Sequence, residues 1–410
     1  MITFIDYQYK GVGGVGQLVV NSTLELNRRG KRSKLYCSSE SYEYRRLMEC
    51  HATFDFIDSD VVTIGRLHKF ISSNDVIVLT NIFDTPLLEK IKYLNNRMVF
   101  YSVHPDTFFC YPHQMDSVCN QIDAALGLVK CLEEHDSLYF MDWPNVKAIF
   151  DKGKIEIGYL HYLPIPVMTY SKGYKVGRYI DGSLNITYLG RGNDIWKIYP
   201  IIKVLEDLNS LRIKAKVTIL TDDDSQYRKM IGTLVNNNTI KVDYILNLFG
   251  EELEQYLLQH SDLHIAMGTS ALEGAKLGIP TILIDYSKKK FPDDYAYRWI
   301  YECVDFCLGG EIIDGVSPYK VGRPLIEMIK SISGENGYMR EAEACRSYLE
   351  KNHSIQSFVD RLETACQNTK MTTRNYCKTR FSKNMYYILP VIIFVARIKN
   401  FIIKIKNNGL

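Results

Sequence analysis

The stretch Ser261–Asp285, SDLHIAMGTSALEGAKLGIPTILID, carries the densest chemistry in the sequence. An apolar run ends in Gly268-Thr269-Ser270, and a helical pattern starts there. Glycine lets backbone approach a ligand closely, and the N–H groups and dipole of a helix start favour a phosphate. Glu273 lies three residues past Ser270, where it either closes a capping box or accepts hydrogen bonds from a ribose. A second glycine cluster, Gly11-Val-Gly-Gly-Val-Gly16, follows the first apolar run of the chain. It also fits G-x-G-x-x-G with Glu40 roughly twenty residues on, so a dinucleotide site is a competing reading of that loop. Asp222-Asp223-Asp224 resembles a metal-binding triplet, although such a cluster is more often a solvated helix start, and we read it so.

Positioning these groups requires strands that end where the glycines begin. The first half alternates short apolar runs with amphipathic helices: a strand at Ile2–Tyr7, a helix with Val15, Leu18, Val19, Ser22 and Leu26 on one face and Gly30 as its stop, and strands at Ser33–Cys37, Asp75–Thr80 and Arg97–Val103. A helix is expected over Thr85–Leu94, and Lys154–Leu163 reads as the last strand of this half. Leu163-Pro-Ile-Pro, running on to Lys172-Gly173, is the expected linker. The rhythm then restarts, with strands at Leu184–Leu189, Ala215–Leu220, Ile240–Leu248, Asp262–Met267 and Thr281–Ile284 and helices between them. Two such runs predict an α/β protein with two doubly wound Rossmann-like sheets, which hold ligands at the carboxyl ends of their strands. The expected division is 1–165, 166–337, crossover helices at 338–368 and a tail at 369–410, with Ser354 capping the helix that carries Ile355, Phe358, Val359, Leu362 and Ala365.

The run from Asp262 to Pro280 resembles the donor-binding segment of GT-B glycosyltransferases, through Gly268, Thr269, Ser270 and Glu273 and the helix-cap-strand AKLGIPTIL. The resemblance implies that the glycine turn holds a donor diphosphate and that Glu273 holds the ribose. Further segments agree in order over roughly residues 1–365. Gly13, Gly14 and Gly16 are similar to the glycine loop beside the acceptor. His104 in YSVHPD is similar to the position that reaches the donor sugar, with Asp106 beside it, and Arg191 in Tyr188-Leu-Gly-Arg191 to the arginine that contacts the diphosphate. Lys197 stands six residues after Arg191, where the retaining GT-B family has a lysine at five. That family also carries a glutamate eight residues before the ribose glutamate, and here the position is Ile265. The spacing from Asp262 to Glu273 looks more like the inverting, peptidoglycan-precursor type, so the anomeric outcome stays open. Asp106, Asp84, His113 and Glu134 are the candidates for a base on the acceptor hydroxyl. No metal and no cofactor is implied beyond the nucleotide-sugar donor.

Composition sets the outer bounds. A chain of 410 residues, 46% hydrophobic and 24% charged, buries two sizeable cores, which excludes a disordered protein. The ten cysteines form no paired framework, which fits a reducing compartment. The start MITFIDYQYKGVGG has no basic stretch followed by an apolar core, so no signal peptide is expected. After Glu363 come nine basic residues and no acidic one, which leaves the body mildly acidic. A basic stripe over the body is lacking, which argues against nucleic acid as a partner. The apolar run Met385–Ala396, broken by Pro390 and followed by RIKNFIIKIK, is too short to span a bilayer but suits an anionic membrane surface, so residues 380–410 are expected to lie on the inner face of the plasma membrane. Three functions follow as expectations: a sugar transferase acting on a saccharide, lipid-linked for preference; a nucleotide-sugar epimerase on the same fold; and a non-catalytic sugar- or membrane-binding scaffold.

Overall fold

The computed structural model describes residues 1–6, 14–109, 121–168, 183–192, 194–232, 239–318 and 321–387. The chain divides into two compact units, one of Met1–Ile165 with Phe358–Leu410 and one of Pro166–Ser357. Each is built on a six-stranded sheet.

In the first unit the strands are β1 (Ile2–Asp6), β2 (Ser33–Cys37), β3 (Phe54–Asp58), β4 (Val76–Leu79), β5 (Arg97–Ser102) and β6 (Leu138–Phe140). They run parallel in the order β3-β2-β1-β4-β5-β6. The inner strand β4 is buried along its whole length, as expected of a sheet covered on both faces. Sequence periodicity missed β3 and β6, which are the two edges of the sheet. It also placed a strand at Lys154–Leu163. The structure instead ends the Trp143–Gly153 helix with Lys154 in the left-handed conformation, and only Tyr162 bridges to Phe140. The alternating Ile155 and Ile157 that suggested a strand are half-buried against the core from a non-strand segment.

In the second unit the strands are β7 (Leu184–Leu189), β8 (Ala215–Thr221), β9 (Ile240–Leu246), β10 (Leu263–Ala266), β11 (Thr281–Leu283) and β12 (Arg298–Trp299). Their order is β12-β11-β10-β7-β8-β9, and only β12 is antiparallel. Chain order reverses between β7 and β10, where Leu189 pairs with Ala266. The loops leaving these two strands therefore diverge from neighbouring points, which opens a crevice at a topological switch point.

The C-terminal segment requires a correction. Of the crossover helices expected at 338–368, Glu335–Asn352 belongs to the second unit, and the chain passes to the first at Phe358, within the Ile355–Asn368 helix. The expected tail starting at 369 is in its first part core: Met371, Tyr376, Cys377, Phe381 and Met385 are buried in the hydrophobic cluster of the first unit. Met371 O accepts from Met98 N at 3.0 Å and Thr373 N donates to Asn96 O at 2.8 Å, which ties the segment to the start of β5. The basic residues Arg374, Lys378, Arg380 and Lys383 face outward from it. Most of the apolar run and the basic stretch after it, residues 388–410, lie outside the described residues, as do Gly13, His113 and Lys172-Gly173. Among the described residues no helix is long and apolar enough to cross a membrane.

Candidate functional site

A cavity of about 550 Å³ lies at the carboxyl ends of the second sheet. Its walls come from the end of β7 (Leu189, Gly190, Arg191), Lys197, the end of β8 (Leu220, Thr221, Asp222), the turn after β9 (Leu248, Phe249, Gly250) with Leu253, and Thr269, Ser270, Glu273 and Lys276. Five of the six donor-binding residues expected from the sequence thus line one space. Gly268 caps the Thr269–Lys276 helix at its edge.

Gly268 has φ 60° and ψ −149°, a conformation in effect reserved for glycine. Its N–H is not directed to a ligand, because it donates to Leu308 O at 2.5 Å. The N–H groups of Thr269 and Ser270 have no partner among the described residues, as at any helix start. The capping box expected from Ser270 and Glu273 does not form, since Ser270 lies inside the helix rather than at its cap. Glu273 instead pairs with Lys276 at 2.5 Å, and Lys276 also reaches Glu254 at 2.8 Å. Lys276 has only 9% of its side chain exposed, and burial alone would lower its pKa, but the two carboxylates reverse that and raise it.

The helix is held from beneath by a residue that sequence reading passed over. His264 on β10 is fully buried, with Nε2–H donating to Ser270 O at 3.0 Å and Nδ1 accepting from Thr187 Oγ1 at 2.9 Å. Both bonds fit the neutral ring, and burial lowers its pKa to about 4. A Cβ on Gly274 would stand 2.6 Å from that imidazole, so the helix rests directly on it. A lone histidine inside LHIA offers no spacing signal that distinguishes it from an ordinary core residue.

The loops leaving β7 and β8 depend on Gly192. A Cβ on Gly192 would meet Asp223 O at 1.7 Å, and Gly192 N–H donates to Asp222 Oδ1 at 2.8 Å. This clasp joins the β7 and β8 loops, and the Gly192 N–H is the first cause that holds the Asp222 carboxyl below its usual range. The acidic triplet is thereby accounted for: Asp223 accepts from Ser225 N at 2.8 Å and Asp224 from Arg228 Nε at 2.7 Å. Arg191 Nε and Lys197 Nζ lie 3.5 and 3.8 Å from Asp194 Oδ2. Arg191 is 69% exposed and Lys197 only 12%. Burial, then the neighbouring Arg191, lower the Lys197 pKa against the pull of Asp194 and Asp222. The cavity wall therefore carries Arg191 and Lys197 beside a helix start, with the Glu273–Lys276 pair farther along the same helix.

His104 and Asp106 sit in the first unit, in the turn after β5. His104 O accepts from Thr107 N at 2.9 Å, and Asp106 N donates to His104 Nδ1 at 3.1 Å. Stacking of Phe108 on Phe100, with centroids 4.8 Å apart, anchors the turn. Both side chains stay exposed, and Asp106 pairs with Lys152 at 3.1 Å. Of the other base candidates, Asp84 is fully buried and Glu134 exposed. Gly14 opens the Gly14–Arg28 helix with clear space around it, whereas Gly16 packs against Glu43.

Backbone comparison places this chain beside solved structures of similar length. It is similar to the lipopolysaccharide outer core galactosyltransferase WaaB, at 12% identity and TM-score 0.54, over 89% of this chain and 98% of that one. It is similar to a glycosyltransferase from Rickettsia africae ESF-5, at 12% identity and TM-score 0.55, over 89% and 97%. It is also similar to the trehalose-6-phosphate synthase OtsA, at 12% identity and TM-score 0.52, over 90% and 99%. No protein-family model and no curated protein sequence matches it. At these identities the likeness is one of fold, and the fold of this chain is GT-B.

Proposed function

We propose that the protein is a glycosyltransferase that binds a nucleoside diphosphate sugar in the cavity of the second unit and passes the sugar to a saccharide. The observation that carries the reading is the meeting of Arg191, Lys197, the Thr269–Ser270 helix start and Glu273 in one cavity at a switch point. Glycosyl transfer leaves negative charge on the departing diphosphate, so fixed positive charge and N–H groups aimed there lower the barrier. Arg191, Lys197 and the Thr269 and Ser270 N–H groups supply them, and Glu273 accepts the ribose hydroxyls. No metal is required for this scheme, because the protein's own cations balance the diphosphate.

A thermal-shift screen against UDP, GDP, ADP, their sugars and NAD tests the reading. A ligand at about 100 times its Kd stabilises by about 2.7 kcal/mol, a visible shift. We expect one nucleoside diphosphate to stabilise the wild type and Glu273→Ala to abolish the shift while leaving the unliganded protein folded. A response to NAD alone would move the site to the Gly11–Gly16 loop. Binding with sugar interconversion and no transfer would favour an epimerase.

The acceptor is lipid-linked in this proposal, within surface polysaccharide assembly on the cytoplasmic side, because the C-terminal sequence joins an apolar run to basic residues. Co-sedimentation with vesicles containing phosphatidylglycerol should weaken several-fold when Lys399, Lys404 and Lys406 are changed to Glu. Unchanged sedimentation removes the membrane from the proposal.

A further inference from the structure

Lysine is among the residues least often buried, and a buried one needs partners. Lys276 lies at the end of the Thr269–Lys276 helix, one turn from Glu273, with its side chain 9% exposed in the cavity wall. Its Nζ is 2.5 Å from Glu273 Oε2 and 2.8 Å from Glu254 Oε1. Glu254 comes from a different helix, Gly250–His260, and does not line the cavity. Its side chain is 18% exposed, so it is a half-buried anchor. The bridge from Lys276 reaches Glu273 through Oε2, and Glu273 does line the cavity.

We propose that Lys276 is a positioning residue: it fixes the Glu273 carboxylate by one oxygen and leaves the other for ligand hydroxyls, and Glu254 holds Lys276 in place from the neighbouring helix. A glutamate has three rotatable side-chain bonds, and a carboxylate that turns freely accepts from a vicinal diol poorly. Pinning Oε2 between two helices removes that freedom before the ligand arrives. The Gly250–His260 helix also begins at Phe249–Gly250, which line the same cavity, so the same link ties two parts of its lining together. The relay makes the site selective for a ribose diol over a sugar that lacks it. This rests on the cavity's being a nucleoside diphosphate site.

The test is isothermal titration of the full chain with UDP, GDP and ADP, and then with the 2′,3′-dideoxy form of whichever binds tightest. The wild type should prefer the diol by at least about tenfold, as sites built to hydrogen-bond a hydroxyl reject analogues without it. Lys276→Met should bring that ratio close to one while changing affinity for the dideoxy form by less than about threefold. Glu254→Gln, which alters no cavity-lining residue, should lower the ratio part of the way, and Lys276→Arg should keep it. Equal weakening of both ligands by Lys276→Met with the ratio preserved overturns the proposal, because Lys276 would then act only by charge or packing. If Lys276→Met fails to fold, Glu254→Gln decides alone, and an unchanged ratio there rejects the relay. A wild type that binds a diphosphate without preferring the diol rejects the relay but keeps the site. A wild type that binds none rejects both.

Discussion

The carboxyl ends of β7 and β10 in the second unit and of β1 and β4 in the first are equivalent places in two similar sheets, yet their polar groups are treated differently. In the second unit the chain hydrogen-bonds to itself. His264 has both ring nitrogens engaged, Asp222 receives Gly192 N–H, and Asp285 takes Arg298 in a bidentate pair at 2.6 and 2.9 Å. Asp194 Oδ2, close to Arg191 and Lys197, has no hydrogen bond among the described residues, and neither do the buried Trp299 Nε1 and Tyr338 Oη of the same unit. In the first unit Glu43, Thr80 and Asp84 are buried, and their side-chain oxygens have no partner among the described residues. Burial raises the Asp84 carboxyl to about 7; Asn81 offsets part of this without reaching hydrogen-bond geometry. A ligand site whose walls are bonded to each other meets its ligand preorganised. The Asp84 carboxyl, held by packing, is free to respond to pH.

Glycine substitution should break this comparison most forcefully. The β7–β8 clasp has no room for a Cβ at Gly192, and the atom it would strike is backbone, so Gly192→Ala should cost about 3 kcal/mol or more. Gly14 has nothing within 4 Å of its Cβ direction, and Gly14→Ala should be neutral or stabilise by up to about 1 kcal/mol. Urea unfolding of both variants checks the pair. A Gly192→Ala protein as stable as the wild type would mean that the two loops are not clasped.

The next effect is one of sign. His264 has a folded pKa near 4, below its ordinary value of 6.5, so its contribution to stability is complete above pH 6.5 and is lost as pH falls through 4. Asp84 is raised from 3.8 to about 7, so its contribution is complete below pH 4 and is lost as pH rises through 7. Each change is on the order of 3 kcal/mol across its window. Unfolding between pH 4 and 8 should show His264→Gln removing the acid-side loss and Asp84→Asn the loss towards neutral pH. Two variants with the same pH profile would erase the distinction between the units.

These contrasts also explain what the sequence made legible. That Arg191, Thr269 and Glu273 line one cavity with Gly268 at its edge was readable because a strand, a glycine and a helix start lie within a few residues of one another. The groups that hold them were not. His264 gains its meaning from Thr187 on β7, and Lys276 from Glu254, which stands twenty-two positions earlier in the chain. The C-terminal segment misled for a related reason. Charge counting registers Arg374, Lys378, Arg380 and Lys383, which are exposed, while Tyr376, Phe381 and Met385 form the buried face of the same segment. Edge strands as short as Leu138–Phe140 leave too little pattern to detect.

The smallest expected effect on stability falls on the residues with the largest chemical claim in the first unit. His104 and Asp106 have side chains 69% and 55% exposed, and their turn is held by Thr107 and by Phe108 on Phe100. Replacing His104 with Ala removes no packed atom, and the change in unfolding free energy should stay within about 0.5 kcal/mol. Nucleoside diphosphate affinity should also hold, because the residue belongs to the other unit. If His104 nonetheless reaches the sugar being transferred, turnover falls by about 10² or more at unchanged donor affinity, the pattern of a group needed only in the transition state. Unchanged turnover would strip the first unit of its expected part in the chemistry and leave the second unit as the only one with an assigned site.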